Sequence, residues 1–448
     1  MIPLAPRILT SLRFSQGLIL FGLLSMSLYT VVPSVSWADD VTNYPNRWRV
    51  AELAPGQLTP PFELIWNRTP TWFPEMNRGG PSQALVVRVA ATAHGVVCFF
   101  NRSFYLLDPA DGRTLWRLRL GGKIDLSDWK TMGDLVLYSG VDYGKDIKDY
   151  LKLVRGAIDL RQRKSLWSVA SSENKRFLGG ASYDWLMPIG NDRALFTNEY
   201  ADPYYIGTLD LLDSWSGATI RRVDKGFSYL EDIGWFARND QVFALLASRT
   251  GGLALKEYNL ATGQASEPVH IFGSERALQA PPFVVTDNGM VLVVYSSPKE
   301  TPTLVAFDLH EKRLLWFLSD DRFEYARQVA ISDSQRGIAL VAIRNDRYAL
   351  VDFGQGSVKR WGRLPDGWAW EEFIPLLYSH PYAIAGARRE TAYGLIALNV
   401  ETGQVDWTYE FRDRGEVPNI VNFAAAGDAF YLSRLDGRVM AFMMKRNK

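Results

Sequence analysis

Along most of this chain the apolar and polar positions alternate over short runs. The stretches VVCFF (96–100), FYLLD (104–108) and RTLWRLRL (113–120) are rich in β-branched and aromatic residues, and turn residues separate them. That is the pattern of strands rather than of helices. After the first 38 residues no stretch sustains a helical period. The segment YLLDPADGRTLW (105–116) reads as a strand, a turn and a second strand ending on a tryptophan. It returns as AIDLRQRKSLW (157–167), AFDLHEKRLLW (306–316) and ALNVETGQVDW (397–407). Aligned on the last position, the copies give eight marks: Trp66, Trp116, Trp167, Ile220, about Val269, Trp316, Trp361 and Trp407. The intervals between them fall between 45 and 53 residues, the spacing of a repeat architecture.

Four strands per period and eight periods predict an all-β fold, an eight-bladed β-propeller of four-stranded antiparallel blades. The two ends of the chain complement each other. The last copy, FYLSRLDGRVMAFMM, lacks a Trp-bearing final strand, and PFELIWN (61–67) is such a strand without the three that should precede it. Joined, they make one blade, so the ring is expected to be closed by this N-terminal outer strand, which would leave no open edge. The expected organisation is a leader over 1–38, an extended segment over 39–60, the propeller over 61–445 and a short tail over 446–448.

The repeat itself has structural chemistry. Asp108 to Gly112 offers an acceptor side chain at the start of a turn and a glycine that can take positive φ at its end. The turns ending on Gly217, Gly263 and Gly403 follow the same plan, and Asp159, Asp308 and Asp352 keep the acid. These residues are read as turn formers, not catalysts. The repeated tryptophans, Trp66, Trp116, Trp167, Trp316, Trp361 and Trp407, are read as packing between neighbouring blades, each N–H finding a backbone acceptor. Residues spread round a ring cannot all face one ligand.

Composition changes the picture mainly at the N-terminus. Arg7 and Arg13 precede an apolar run over 17–32, and Ser36-Trp37-Ala38 offers small residues where a signal peptidase reads. Cleavage near Ala38 and a periplasmic or secreted location in a bacterium are expected. An uncleaved anchor is the alternative, although the run is short for a span. The remaining chain has 48 basic and 49 acidic residues, since the leader holds only Arg7 and Arg13 of the 50 basic ones. That balance points away from nucleic acid and anionic membranes. No later stretch resembles a transmembrane helix. The single cysteine, Cys98, sits in an apolar strand and reads as a buried hydrophobe.

The pattern Ala/Leu-x-Asp-x-x-x-Gly-x-x-x-Trp, present as Leu107-Asp108 to Gly112 and Trp116 and as Leu398-Asn399 to Gly403 and Trp407, resembles the repeat of the pyrroloquinoline-quinone-type propellers. The resemblance covers about residues 61–445. It implies one of two functional kinds: quinone- and calcium-dependent dehydrogenases, or non-enzymatic propellers that bind proteins. The second kind includes the propeller subunit of the outer-membrane β-barrel assembly machinery, which this chain is closest to in kind. The adjacent cysteine pair of many quinone enzymes is absent, and no Glu, Asn and Asp calcium set matches specific positions. No cofactor and no metal are therefore expected, and no catalytic residue is assigned.

Other chemistry is sparse. His94, His270, His310 and His380 lack metal-ligand spacing. Ser172-x-x-Lys175 and Ser296-x-x-Lys299 fall in loops, without the helix that would position a nucleophile. Gly354-Gln-Gly356 reads as a hairpin turn, and Asp320-Asp321 as loop acids. Functional residues gather on loops held by a rigid scaffold. In a propeller the strand 2–3 loops and the blade-to-blade connections share one face. Its longer segments, 67–82, 141–149, 199–205 and 363–370, carry Trp72, Phe73, Tyr143, Tyr200, Tyr204, Tyr205, Trp368 and Trp370. These rings are candidates for binding a partner, or for folding back as core over the propeller. The expectation is an exported monomeric scaffold that binds another envelope protein through this face. A divergent quinone-dependent dehydrogenase and a carbohydrate-binding accessory protein are the alternatives.

Overall fold

The structure, a computed structural model, describes residues 51–52, 58–68, 88–100, 102–121, 124–142, 152–170, 186–201, 206–228, 232–238, 241–247, 251–275, 283–285, 289–331, 337–370, 377–390, 392–411, 420–434 and 437–445. The expected leader and most of the expected extended segment lie outside these residues. Among the described residues no helix is long and apolar enough to cross a membrane.

Eight small antiparallel sheets follow one another along the chain. Sheet 1 is Val89–Thr92, Gly95–Phe100, Ser103–Leu107 and Thr114–Arg119. Sheet 2 is Ile124–Met132, Leu135–Asp142, Lys152–Asp159 and Lys164–Ala170. Sheet 3 is Leu186–Ile189, Arg193–Ala201, Ile206–Asp213 and Thr219–Ser228. Sheet 4 is Asp232–Arg238, Gln241–Ala247, Leu253–Asn259 and an interrupted outer strand, Gln264–Ala265 with Val269–Phe272. Pro268, without an N–H, lies in the interruption. Sheet 5 is Phe283–Val285, Met290–Tyr295, Thr303–Asp308 and Arg313–Ser319. Sheet 6 is Ala326–Ile331, Ile338–Ile343, Arg347–Asp352 and Ser357–Arg363.

Sheet 7 has a divided first strand, Trp368–Trp370 and Leu377–Ser379, followed by Tyr382–Arg389, Ala392–Asn399 and Gln404–Glu410. Ala51–Glu52 pairs parallel with Leu377 and Tyr378 at its edge. Sheet 8 is Ile420–Ala426, Ala429–Arg434, Val439–Met444 and Phe62–Arg68. In it Phe62 lies opposite Met444 and Trp66 opposite Ala441, so this sheet draws strands from both ends of the chain.

The core is the set of seams between sheets. Among the described residues, eight apolar clusters fill the eight seams, one for each neighbouring pair, including sheet 8 with sheet 1. Sheets 8 and 1, 1 and 2, 2 and 3, and 5 and 6 approach most closely through their first strands, which marks those strands as axial. At the seam of sheets 8 and 1, Asn422 imitates a strand: its Oδ1 accepts from Val89 N at 2.9 Å and its Nδ2 donates to Val89 O at 2.8 Å.

The repeat turn behaves as its sequence demands. Asp108 Oδ1 accepts from Ala110 N (2.9 Å), Asp213 from Ser216 N (2.7 Å), Asn259 from Thr262 N (3.0 Å) and Asn399 from Glu401 N (3.0 Å). Asp159 accepts from Gln162 N, Asp308 from His310 N and Asp352 from Gln355 N in the same way. The residue four places after each head is left-handed. It is Gly112, Gly217, Gly263, Gly356 or Gly403 in five turns, and Arg163 (φ 56°) or Lys312 (φ 50°) in two.

Each such glycine leaves room for a side chain from the preceding sheet. A Cβ on Gly112 would come within 2.7 Å of the Trp66 ring, one on Gly217 within 2.5 Å of Trp167, and one on Gly356 within 2.6 Å of Trp316. The indole N–H then reaches into the same sheet: Trp66 Nε1 to Pro109 O (2.9 Å), Trp167 Nε1 to Ser214 O (2.9 Å), Trp316 Nε1 to Phe353 O (2.6 Å).

Three of the eight marks need correction; the one near Val269 falls after the interruption in sheet 4, opposite Leu255, outside the register of the others. The tryptophan at this position follows a β-bulge, as Trp316 opposite Ala306 and Trp407 opposite Ala397 do. In sheet 3 the residue in that register is Arg221, opposite Leu211, not Ile220. In sheet 6 it is Arg360, opposite Leu350, not Trp361. Each arginine covers the turn glycine of the next sheet, Arg221 over Gly263 and Arg360 over Gly403. The Trp361 ring turns the other way, into the seam with sheet 5, against Phe323 and under the Arg322 guanidinium at 3.6 Å. A one-residue slip in a strand exchanges its faces, so both marks showed the wrong side chain, the one at Trp361 because the alignment followed the letter Trp.

Candidate functional site

Strand order sends the strand 2–3 loops and the sheet-to-sheet connections to one face of the ring. Of the expected partner-binding rings, Trp72, Phe73, Tyr143, Tyr204 and Tyr205 lie outside the described residues. Tyr200 is on the second strand of sheet 3, opposite Gly207, with only its backbone described.

Trp368 and Trp370 are buried, at 6% exposure each; their placement in a loop is corrected, and of the two readings these rings take the core one. They are the first half of the axial strand of sheet 7 and pair with Arg389 and Ala387. Trp370 Nε1 donates to Arg347 O at 2.7 Å, and its ring meets Tyr348 edge-on at 6.3 Å. The tight turn at Gly367 (φ 85°) delivers the chain to the axis earlier than the Pro365-Asp-Gly signal suggests. Both rings fill the seam of sheets 6 and 7.

Among the described residues of this face, three segments from sheets 4 and 5 meet as a platform. Gly251 and Gly252 (φ 110° and 77°) end the loop before Leu253. A Cβ on Gly251 would sit 1.9 Å from Ser274 O, so only glycine lets the two backbones touch. Gly252 N donates to Glu275 O (2.7 Å), and the Tyr295 hydroxyl donates to the same carbonyl (2.5 Å). Ser274 N donates to Glu300 Oε1 (3.0 Å), and the Ser274 hydroxyl bonds the same carboxylate. Lys299 Nζ lies 2.8 Å from Glu275 Oε1, and the His270 ring bonds Gly273 O (2.7 Å).

Burial, then the Glu300 carboxylate beside it, pushes the Tyr295 phenol up to about 12. The hydrogen bond from Ser274, then that from Tyr295, holds Glu300 below the usual carboxylate range. The platform is therefore built from charged and hydroxyl groups already fixed by one another. Lys299 is 73% exposed and offers its ammonium to solvent. The sequence reading did not single out this cluster. The Gly251-Gly252 doublet facing Gly273-Ser-Glu275 was its one legible sign, because paired glycines mark close backbone approach.

The remaining sequence candidates take structural places. Lys299 of the Ser296-x-x-Lys299 pattern is held by Glu275; Ser172-x-x-Lys175 lies outside the described residues. Gly356 closes a hairpin onto Asp352 O (2.8 Å). Asp320 caps the short 3-10 turn Asp321–Tyr325 and bonds Arg322, which draws its carboxyl down. His94 bonds Asp134 (2.7 Å) and His380 bonds Glu401 (3.0 Å). Burial pushes the Cys98 thiol up to about 12, away from reactivity. Among the described residues no three His, Cys, Asp or Glu side chains gather as a metal site.

Together the sheets define an eight-bladed β-propeller. No family model matches the sequence, and no curated protein matches it. Among solved structures the chain is similar to the computationally designed Ika8 protein, at 14% identity over 80% of this chain and 95% of that one, TM-score 0.52. It is similar at the same TM-score, 0.52, to the C-terminal WD40 domain of Sif2, at 7% identity over 80% and 94%. It also matches BamB from Moraxella catarrhalis, at 13% identity over 81% and 84%, with a TM-score of 0.42 that carries no argument. At these identities the likeness shows the fold alone.

Proposed function

We propose that this chain is an exported, non-enzymatic propeller of the quinoprotein-like kind that serves as a scaffold for another envelope protein. The leader over 1–38 supports export to the periplasm or beyond. One observation carries the reading of a protein-binding face: the platform of Gly251-Gly252, Gly273–Glu275 and Lys299-Glu300. Three segments from two sheets lock one another and hold Lys299 out to solvent. A pre-formed polar surface loses little freedom on binding, so its contacts convert efficiently into affinity. Tyr204 and Tyr205 belong in sequence to the strand 2–3 connection of sheet 3.

The test is native purification of the tagged full chain from the envelope after cross-linking, quantified by mass spectrometry. Wild type should recover one exported protein reproducibly. Lys299→Glu and the Tyr204→Ala/Tyr205→Ala pair should each cut that recovery several-fold while leaving the circular dichroism unchanged. Equal recovery by all three proteins removes the assignment of this face.

A further inference from the structure

Among the described residues the seam between sheets 2 and 3 holds a polar row beside its apolar cluster. Trp129, Tyr138 and Val154 of sheet 2 pack toward sheet 1. Side chains alternate along a strand, so their neighbours Asp128, Ser139 and Arg155 point to sheet 3. Asp128 lies opposite Ser139, and Ser139 opposite Arg155. The three therefore form one cross-strand row on adjacent strands.

Every member of this row has a buried polar atom with no hydrogen-bond partner among the described residues: Asp128 Oδ2, Ser139 Oγ and Arg155 Nη1. The Asp128 side chain is fully buried. Its other oxygen is taken, accepting from Arg88 Nη1 (2.5 Å) and Trp129 N (2.9 Å), with Lys130 Nζ at 3.3 Å. Across the seam, Asp210 is buried and accepts from Arg222 Nε at 3.0 Å. Burial lowers the affinity of the Arg155 guanidinium for its proton; Asp210 opposes that and Arg222 adds to it.

We propose that this row is a binding site for hydroxyl groups. Arg155 Nη1 needs an acceptor, Asp128 Oδ2 needs a donor, and Ser139 takes either. A hydroxyl supplies both roles in one atom. A cation is disfavoured because Arg88 and Lys130 already serve Asp128. A free anion would face the Asp128 and Asp210 carboxylates. With strands about 4.8 Å apart, the row spans about 10 Å, the length of a small polyol or sugar or of a short chain of ordered waters. This site lies within the ring and is independent of the protein-binding face.

The full chain is crystallised from polyol-free solution at a resolution that shows ordered water, and again after soaking in myo-inositol. Thermal-shift titrations with myo-inositol run in parallel on wild type and Ser139→Val. In either crystal, density within hydrogen-bond distance of at least two of the three atoms supports the site. Separate spheres with no thermal shift identify water as the occupant. A ring-shaped density, with a rise in midpoint that Ser139→Val abolishes while keeping the native circular dichroism, identifies a polyol. Direct protein partners for the three atoms, or no density beside them in both crystals, overturns the proposal. So does a midpoint rise that is the same in both proteins without density at the row.

Discussion

The seam between sheets 8 and 1 and the seam between sheets 3 and 4 meet one demand with different side chains. In the first, the Trp66 ring lies over Gly112 and its N–H reaches Pro109 O. In the second, the stem of Arg221 lies over Gly263. Arg360 over Gly403 repeats the second solution and donates to Thr402 O. Tryptophan and arginine share a long flat body and an N–H beyond it. The fold thus requires a cover for a left-handed turn, to which Trp66 and Arg360 add a donor for a turn carbonyl, and not an indole as such. The two solutions differ in energy, because Trp66 is buried and Arg221 is exposed.

The difference can be broken at its strong end first. Trp66→Ala should cost about 3–5 kcal/mol, the range for emptying a buried aromatic site, whereas Arg221→Ala should cost less than about 1 kcal/mol. Urea denaturation followed by tryptophan fluorescence and circular dichroism measures both. Next, Gly112→Ala should cost about 1–3 kcal/mol, through positive φ and a methyl driven into the indole. In a double-mutant cycle with Trp66→Ala part of that loss should disappear, since the clash goes with the ring. Full additivity would show that the glycine answers only to its own backbone.

Arg221→Trp sharpens the comparison by installing the stronger cover, and about 1 kcal/mol of gain is expected. Ile220→Trp, one residue away and facing solvent, should change stability by less than about 0.5 kcal/mol. The reverse ranking would overturn the corrected register. Arg163→Gly places glycine at a left-handed turn position and should add about 0.5–1 kcal/mol. The smallest effect concerns the platform. The Tyr295 phenol is raised in the fold, so the stability it contributes is whole below its ordinary range near 10 and is lost as pH rises toward about 12. Tyr295→Phe should flatten that part of the stability–pH profile; an unchanged profile would assign the loss to other groups.

Much of the ring was readable in the repeat. Asp108 to Gly112 announces a turn through residues only a few places apart, and the structure forms that turn as a local hydrogen-bonded unit. Trp316 and Trp407 could be placed because the interval from turn head to cover is constant. The same interval, applied to Asp213 and Asp352, leads to Arg221 and Arg360; after Asp352 the neighbouring tryptophan letter obscured it. Trp368 and Trp370 were misread because a Pro-Asp-Gly turn says where a strand stops, not how near the axis the next begins. The platform was nearly invisible, since Gly252, Glu275 and Tyr295 meet only when sheets 4 and 5 are side by side.

By itself the sequence determined the alternation that makes strands, the turn chemistry between them, their repetition eight times, and a first segment shaped to complete the last. All of these rest on neighbours in the chain, where period-2 patterning and positive φ act. Only the tertiary structure decided which face each outer-strand residue shows and which rings are core. It also decided that Asp128, Ser139 and Arg155 share one buried row. Those outcomes depend on bulges and on contacts between sheets, where a shift of one residue reverses a side chain while leaving the local pattern the same.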